Sequence, residues 1–191
     1  MIRKINLTSR HFLRTAVLVI TVLAFWGGSQ FLNGAKPAGQ DTAVVKEEGE
    51  VVYVTDGDTI KVMLGGAKET VRLIGVDTPE TNDPRKPVQC FGLEASKKTT
   101  DLLLDKHVRL EYDPVAGDRD KYGRLLRYVF LDDGTNISRQ LIFEGYAHEY
   151  TYEAQLYKYR DDFMAAEKDA RENKRGLWAD NACSGFADSI K

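Results

Sequence analysis

Three short β-strand patterns follow one another near the middle of the chain, and they constrain the fold more than any other feature. Residues 51–54 and 59–64 are rich in β-branched side chains and flank residues 55–58 (TDGD), which contain the Asp-Gly pair typical of hairpins. A Gly-Gly turn at residues 65–66 then leads into a third strand pattern at residues 69–76. Because strands joined by short turns pair antiparallel, these residues predict a three-stranded antiparallel unit.

The rest of the chain alternates helical and strand patterns, which predicts an α+β fold. Five strands close economically as a Greek-key β-barrel of the OB-fold type, because closure removes exposed strand edges. We expect three α-helices to accompany this five-stranded barrel. Beyond residue 77 the pattern predicts a proline-containing loop (78–88), a helix (93–104), strands (107–112 and 125–131) with a polar loop between them (113–123), a short helix (136–144) and a longer one (152–173).

Charge is distributed unevenly along the 191 residues. The whole chain has a formal net charge of −2, but residues 48–191 carry 21 Lys and Arg against 27 Asp and Glu, a net charge of −6. An acidic body excludes a nucleic-acid binder that relies on a strongly basic surface. Any polyanion must therefore be held by a local cluster or by a bound cation.

The first 35 residues have the pattern of a targeting segment. Residues 15–35 contain no charged side chain, and their apolar centre, residues 16–26, is short for a membrane span of about 20 residues. A cleaved signal peptide and an uncleaved N-terminal membrane anchor both fit, and a buried core helix is a third interpretation. The basic residues that precede this segment are Arg3, Lys4, Arg10 and Arg14. By the positive-inside rule, we expect the segment to contact a membrane at least transiently and everything after it to be extracytoplasmic, secreted or anchored.

The assignment of a targeting segment also guides the choice of domain boundaries and the interpretation of the two cysteines. We expect residues 36–47 to form a polar linker, residues 48–182 the folded domain and residues 183–191 a C-terminal tail. Cys90 and Cys183 are the only cysteines, and an even number in an exported chain favours a disulfide, with two separate thiols as the alternative. They lack the spacing of a metal site. We expect a monomer.

Acidic side chains concentrate where the first strands end. Asp58 follows the first turn and Asp77 follows the third strand, so pairing of the first hairpin with that strand brings their carboxylates together. Hard carboxylate oxygens suit Ca²⁺ or Mg²⁺. Pro79 favours an extended conformation at Thr78, whose carbonyl then offers another oxygen. Asp56 in the same turn fits a structural role, since Asp in turns usually bonds its own backbone.

Two arginines lie near the same strand ends. Arg72 is within the third strand, and Arg124 follows residues 120–123 (DKYG) at the start of another. Strand arginines often form only surface ion pairs. Facing a carboxylate-bound cation, however, two guanidinium groups would clamp a phosphodiester and favour its more highly charged transition state.

Several segments together resemble the staphylococcal nuclease (thermonuclease) family along nearly all of residues 50–178. They are VTDGDTIKVML, VRLIGVDTPET, FGLEASKKT, DKYGRLLRYVF and YAHEYTY, in that order. The resemblance implies an OB-fold and a Ca²⁺-dependent phosphodiesterase. Such an enzyme cuts DNA and RNA, single- or double-stranded, with low base specificity and leaves 3′-phosphate ends.

The same resemblance implies roles for individual residues. Asp58, Asp77 and the Thr78 carbonyl would bind calcium, and Glu80 would be the general base. Arg72 would hold the phosphate, and Arg124 would stabilise the transition state or leaving group. The nucleotide-contacting residues would be Lys121, Tyr122, Tyr150 and Tyr152, although tyrosines at this spacing also occur in cores.

Two other functions remain alternatives. A non-catalytic OB-fold module that binds nucleic acid or protein would share the fold, and a surface adhesion domain would share the targeting segment. Neither explains why the acidic residues and both arginines occur together.

Overall fold

A closed five-stranded barrel forms the centre of the computed structural model, which describes residues 46–82 and 87–186. The strand order around the barrel is β1-β2-β3-β6-β5, and two short strands, β4 and β7, form a separate pair. The strands are β1 (Lys46–Asp56), β2 (Thr59–Leu64), β3 (Ala67–Leu73), β4 (Val76–Asp77), β5 (His107–Glu111), β6 (Leu125–Phe130) and β7 (His148–Glu149).

Strand pairing explains how the barrel closes. β1, β2 and β3 pair antiparallel in sequence order, as predicted, and β5 pairs antiparallel with both β1 and β6. β3 and β6 pair in parallel, which joins the two halves of the chain. The predicted α+β fold with a five-stranded barrel is confirmed.

Within residues 46–82 and 87–186, three α-helices accompany the barrel. They are α1 (Gly92–Leu103), α2 (Ile137–Phe143) and α3 (Arg160–Glu172), with short 3₁₀ turns at Tyr152–Ala154 and Gly176–Trp178. Apolar side chains from strands and helices form one core, and its largest fully buried members include Tyr128, Phe163, Ile60, Leu73, Leu103, Leu110, Ile137, Leu141, Ile142 and Leu177. Among the residues that the structure describes, no helix has the length and apolar character needed to cross a membrane.

The third strand is shorter than predicted, because the chain turns at Gly75. β3 ends at Leu73, and Gly75 has a φ of 74°, in the left-handed region that favours glycine. A Cβ atom at this position would lie 2.7 Å from Tyr157 Cε2, so the backbone also approaches an aromatic ring closely. The turn separates β4 from β3 and redirects Asp77.

The prediction of a helix over residues 152–173 is wrong at its beginning. α3 begins at Arg160, and Glu153 and Ala154 both have positive φ angles. Contacts with distant residues determine this segment: the Lys158 amide donates to Asp113 Oδ2 at 2.9 Å, and the Tyr157 side chain is buried. Helical periodicity alone did not reveal these contacts.

The ends of the folded part differ slightly from the predicted boundaries. β1 begins at Lys46 and pairs with β5, so the last two residues of the predicted linker are strand residues. The targeting segment at residues 1–35 lies outside the described residues. At the other end, Cys183 is buried and forms the favoured disulfide with Cys90, so the start of the predicted tail is packed.

Candidate active site

Barrel register brings the predicted site residues to one end of β2 and β3. Asp58 directly precedes β2, whose first residue, Thr59, is the register partner of Arg72 in β3. Asp77 ends β4, just beyond the turn that follows β3. Residues from the β1–β2 turn, β3 and β4 therefore lie side by side.

The Arg72 guanidinium lies between the two aspartates. Its Nη2 is 3.0 Å from Asp58 Oδ2 and 3.1 Å from Asp77 Oδ1. Its Nη1 donates to the carbonyls of Leu73 at 2.7 Å and Val76 at 2.6 Å. These bonds connect β3 to β4 across the Gly75 turn and fix the guanidinium against the acidic pair.

The acidic pair has the electrostatics of a cation site. Desolvation by the surrounding protein raises the pKa of the Asp77 carboxyl above its ordinary value of 3.8, and the negative charge of Asp58 also raises it. A divalent cation would offset this repulsion. Thr59 Oγ1 and the Thr78 amide donate to the Asp58 carboxylate at 2.8 and 3.3 Å.

Thr78 is a buried residue whose amide contacts the Asp58 carboxylate. Its Oγ1 is buried and has no hydrogen-bond partner within the described part of the chain. A Cβ atom on Gly57 would lie 2.7 Å from this oxygen, so the β1–β2 turn packs directly on Thr78. Residues 46–82 and 87–186 contain no cluster of three or more His, Cys, Asp or Glu side chains suited to a metal. Two carboxylates nevertheless fit a hard cation that keeps waters or takes substrate oxygens as further ligands.

Glu80 lies beside Asp56, which sequence analysis had given only a structural role. Burial, and after it a hydrogen bond with Glu80, raise the pKa of Asp56 from 3.8 to about 7. Asp56 Oδ1 also accepts from Thr81 Oγ1 at 2.9 Å, and the Asn82 amide donates to Glu80 Oε1 at 2.6 Å. Asp56 therefore attaches the loop that carries Glu80 to the barrel.

Arg124 approaches the same end of the barrel from the loop before β6. Its Nε donates to Asp120 Oδ2 at 2.6 Å, and its Nη1 is 3.4 Å from Thr59 Oγ1. Since Thr59 is bonded to Asp58, Arg124 lies within two hydrogen bonds of the acidic pair. Arg72 thus contacts both carboxylates, and Arg124 reaches Asp58 only through Thr59.

The predicted nucleotide-contacting residues are all exposed, and Tyr122 among them lies beside Arg124. The Arg124 guanidinium and Lys121 Nζ lie 5.4 and 5.1 Å from the centre of the Tyr122 ring, which is 73% exposed. Tyr150 and Tyr152 are also exposed, and their ring centres are 6.4 Å apart. None of the three tyrosines is a core residue, so the alternative that their spacing reflects packing in the core is excluded.

Gln89 is a site neighbour that sequence analysis missed. Its side-chain oxygen accepts a hydrogen bond from the Glu80 backbone amide at 2.6 Å, and the Gln89 backbone amide donates to the Glu80 carbonyl at 2.9 Å. The available signal was its position beside Cys90, at the end of the proline-containing loop. The partner residue lies nine positions away, beyond the reach of local pattern analysis.

Comparisons with known proteins agree with this arrangement. A family model described as "Staphylococcal nuclease homologue" matches residues 70–180 of the chain. Endonuclease YncB of Bacillus subtilis is 44% identical over 141 residues, which cover 70% of this chain and 65% of that protein. The SPbeta prophage-derived endonuclease YokF of the same organism is 44% identical over 139 residues, covering 69% of this chain and 46% of that protein.

A relative of more similar length also matches. The thermonuclease of Staphylococcus intermedius is 40% identical over 165 residues, which cover 86% of this chain and 96% of that protein. By contrast, the chain spans only about two thirds and about half of the two Bacillus proteins. The similarity thus includes the barrel and the acidic site.

Proposed function

The chain belongs to the staphylococcal nuclease family, and we propose that it is a calcium-dependent nuclease acting on DNA and RNA. It would hydrolyse phosphodiester bonds with low base specificity and leave 3′-phosphate ends. The observation that carries this proposal is the Arg72 guanidinium between Asp58 and Asp77, with Arg124 bonded to Thr59, the residue that donates to Asp58.

The acidic pair and Thr78 are the residues that would hold the cation. Bound there, calcium would supply positive charge to offset the charge of a substrate phosphate. Asp58 and Asp77 contribute carboxylate oxygens, and Thr78 contributes its carbonyl. The raised pKa of Asp77, caused first by desolvation and then by the negative charge of Asp58, is in line with this assignment, because a bound cation would offset both effects.

The two arginines would bind the phosphate and its developing charge. Arg72 is fixed by two backbone carbonyls, so its orientation is set before substrate arrives. Arg124 is oriented by Asp120 and would donate to oxygens whose negative charge grows in the transition state. Preorganised donors of this kind lose little free energy to reorganisation during the reaction.

Glu80 would act as the general base on the attacking water. A carboxylate suits this role when it lies within hydrogen-bond distance of that water. The Asn82 amide and the hydrogen bond with Asp56 orient the Glu80 carboxylate. Glu80 would then accept a proton as the new P–O bond forms and the bond to the leaving oxygen breaks.

The exposed tyrosines account for low base specificity. Tyr122, Tyr150 and Tyr152 could stack on bases or donate to phosphate oxygens, and stacking tolerates every base. Lys121 adds a positive charge beside them. We expect the protein to bind DNA and RNA as a monomer.

We also propose that the protein acts outside the cytoplasm. The basic residues and charge-free segment within residues 1–35 support export, either as a cleaved signal peptide or as a membrane anchor. The disulfide between Cys90 and Cys183 supports the same location, because disulfides persist in oxidising compartments.

The test is cleavage of single-stranded DNA by the full chain, with calcium and with excess chelator. Glu80→Gln should lower kcat by about 10²–10⁴ and Arg124→Ala by about 10²–10³. Arg139→Ala is the matched control, because Arg139 pairs with Asp162 on the helices and not with the acidic site. Products should be substrates for a 3′-phosphatase.

The outcomes separate the candidate functions. Calcium-dependent turnover, lost in both site variants and kept in the control, supports the nuclease. A folded wild-type protein that binds the DNA and never cuts it would instead identify a non-catalytic binding module.

A further inference from the structure

Gln89 fixes the backbone of Glu80 with two hydrogen bonds. One runs from the Glu80 amide to the Gln89 side-chain oxygen at 2.6 Å, and the other from the Gln89 amide to the Glu80 carbonyl at 2.9 Å. Neither bond uses the Glu80 carboxylate. The contact therefore positions the residue through its backbone, separately from the hydrogen bonds that the carboxylate makes with the Asn82 amide and Asp56.

Gln89 is itself held on its C-terminal side. It directly precedes Cys90, which is bonded to Cys183, and its carbonyl accepts from the Gly92 amide at 3.0 Å. A Cβ atom on Gly92 would lie 3.1 Å from the Glu80 carbonyl oxygen, so α1 begins directly against the Glu80 backbone. The disulfide lies one residue from the contact that fixes Glu80.

The other half of the disulfide is attached to the core. Cys183 is buried, and the nearby Gly185 amide donates at 2.8 Å to the carbonyl of Leu177, a fully buried residue. The adjacent Trp178 ring packs edge-on against His148, with ring centres 4.8 Å apart. Cys183 is thus a firm attachment point rather than part of a loose tail.

We propose that Gln89 is a positioning residue for Glu80 and that the Cys90–Cys183 disulfide keeps Gln89 in place. This inference rests on the role of Glu80 in the proposed function. Loss of either restraint frees the Glu80 backbone and misaligns its carboxylate. Asp58 and Arg72 are held by the barrel and by each other, so substrate binding does not depend on these restraints.

The experiment compares four variants of the full chain with the wild type. Gln89→Ala removes the side-chain acceptor, and Gln89→Glu keeps an acceptor oxygen. Cys90→Ser combined with Cys183→Ser removes the disulfide. Leu110→Ala is the stability control, because Leu110 is buried in β5 and belongs to the barrel core. Each protein is assayed for kcat and KM on single-stranded DNA with calcium, and for hydrogen exchange of the Glu80 amide.

Positioning predicts a specific pattern. Gln89→Ala and the double cysteine variant lower kcat by roughly 10- to 100-fold with little change in KM, since a small misplacement affects the chemical step and not binding. The Glu80 amide exchanges about tenfold faster or more, through local opening. Gln89→Glu retains slow exchange of that amide. Leu110→Ala keeps the wild-type kcat at temperatures where it is folded.

Two results would overturn the inference. One is wild-type kcat and wild-type Glu80 exchange in Gln89→Ala. The other is an equal loss of kcat in Leu110→Ala, which would indicate general destabilisation. If the wild type has no turnover, the proposed function fails, and Glu80 exchange alone then decides the positioning role. If the double cysteine variant does not fold, the two Gln89 variants decide it.

Discussion

Replacing Gly75 by alanine should destabilise the protein through two separate costs. The residue has a φ of 74°, and an added Cβ would lie 2.7 Å from Tyr157 Cε2 and 2.8 Å from Phe163 Cδ2. Both rings are buried in the core, so neither can move into solvent. The methyl group thus meets both an unfavourable backbone conformation and a filled space.

The size of the effect follows from these two costs. A left-handed conformation costs a non-glycine residue about 1–2 kcal/mol. Forcing a methyl group into a packed core costs about 1–3 kcal/mol. The lower entropy of the unfolded alanine chain offsets only about 0.4–1 kcal/mol of this. We therefore expect Gly75→Ala to lower the free energy of unfolding by about 1–5 kcal/mol.

Gly134→Ala separates the two costs. Gly134 has a φ of 86°, and no atom lies within 4 Å of the position of its Cβ, so only the conformational cost applies. Urea unfolding should show a lower midpoint for both variants at an unchanged m-value, with Gly75→Ala the less stable by about 1–3 kcal/mol. Equal midpoints would refute the packing argument at Gly75.

Three further predictions concern pH, the disulfide and DNA binding. Burial alone would raise the pKa of Glu111, but hydrogen bonds, first of all from Lys158 Nζ, outweigh burial and lower that pKa below 4.5. The ionised Glu111 therefore stabilises the fold above pH 4.5, and this contribution is lost as the pH falls through the lowered pKa. On acidification, the urea midpoint of Glu111→Gln should therefore fall less than the midpoint of the wild-type protein. Loss of the Cys90–Cys183 bond, which closes a 93-residue separation, should cost about 4–5 kcal/mol in urea unfolding, and a loss under 1 kcal/mol would contradict the chain-entropy argument. Residues 48–191 have a net charge of −6, so we expect DNA binding to depend on calcium. The Glu80→Gln variant should bind labelled single-stranded DNA at least about tenfold more weakly in chelator than in calcium, as measured by fluorescence anisotropy at fixed salt. Equal affinity in the two conditions would contradict this prediction.

Much of the fold could be predicted from the sequence, because strand and turn signals are local. The β2 bounds, residues 59–64, agree with the structure, and so does the hairpin turn that precedes them. The prediction failed where distant residues determine the backbone. Residues 155–159 have helical periodicity, yet the bond from Lys158 to Asp113 and the burial of Tyr157 prevent a helix there.

The residues of the candidate site also fall into those that local sequence pattern predicts and those that depend on distant partners. Asp58 and Asp77 could be proposed because each follows a strand pattern, and hard oxygen ligands at strand ends suggest a cation. The contribution of Asp56 could not be predicted, because its partner Thr81 lies 25 positions away. Gln89 was missed for the same reason, since Glu80, its hydrogen-bond partner, lies nine positions away.

The sequence by itself determined the positions of most strands and helices, the acidic and basic residues available for chemistry, and the resemblance to a family. Only the tertiary structure decided that Arg72 lies between two carboxylates, that β3 pairs in parallel with β6, and that Gln89 holds Glu80. Local propensity acts over a few neighbouring residues. These contacts instead require segments that are distant in sequence to come together, and they stabilise the protein only once the domain is packed.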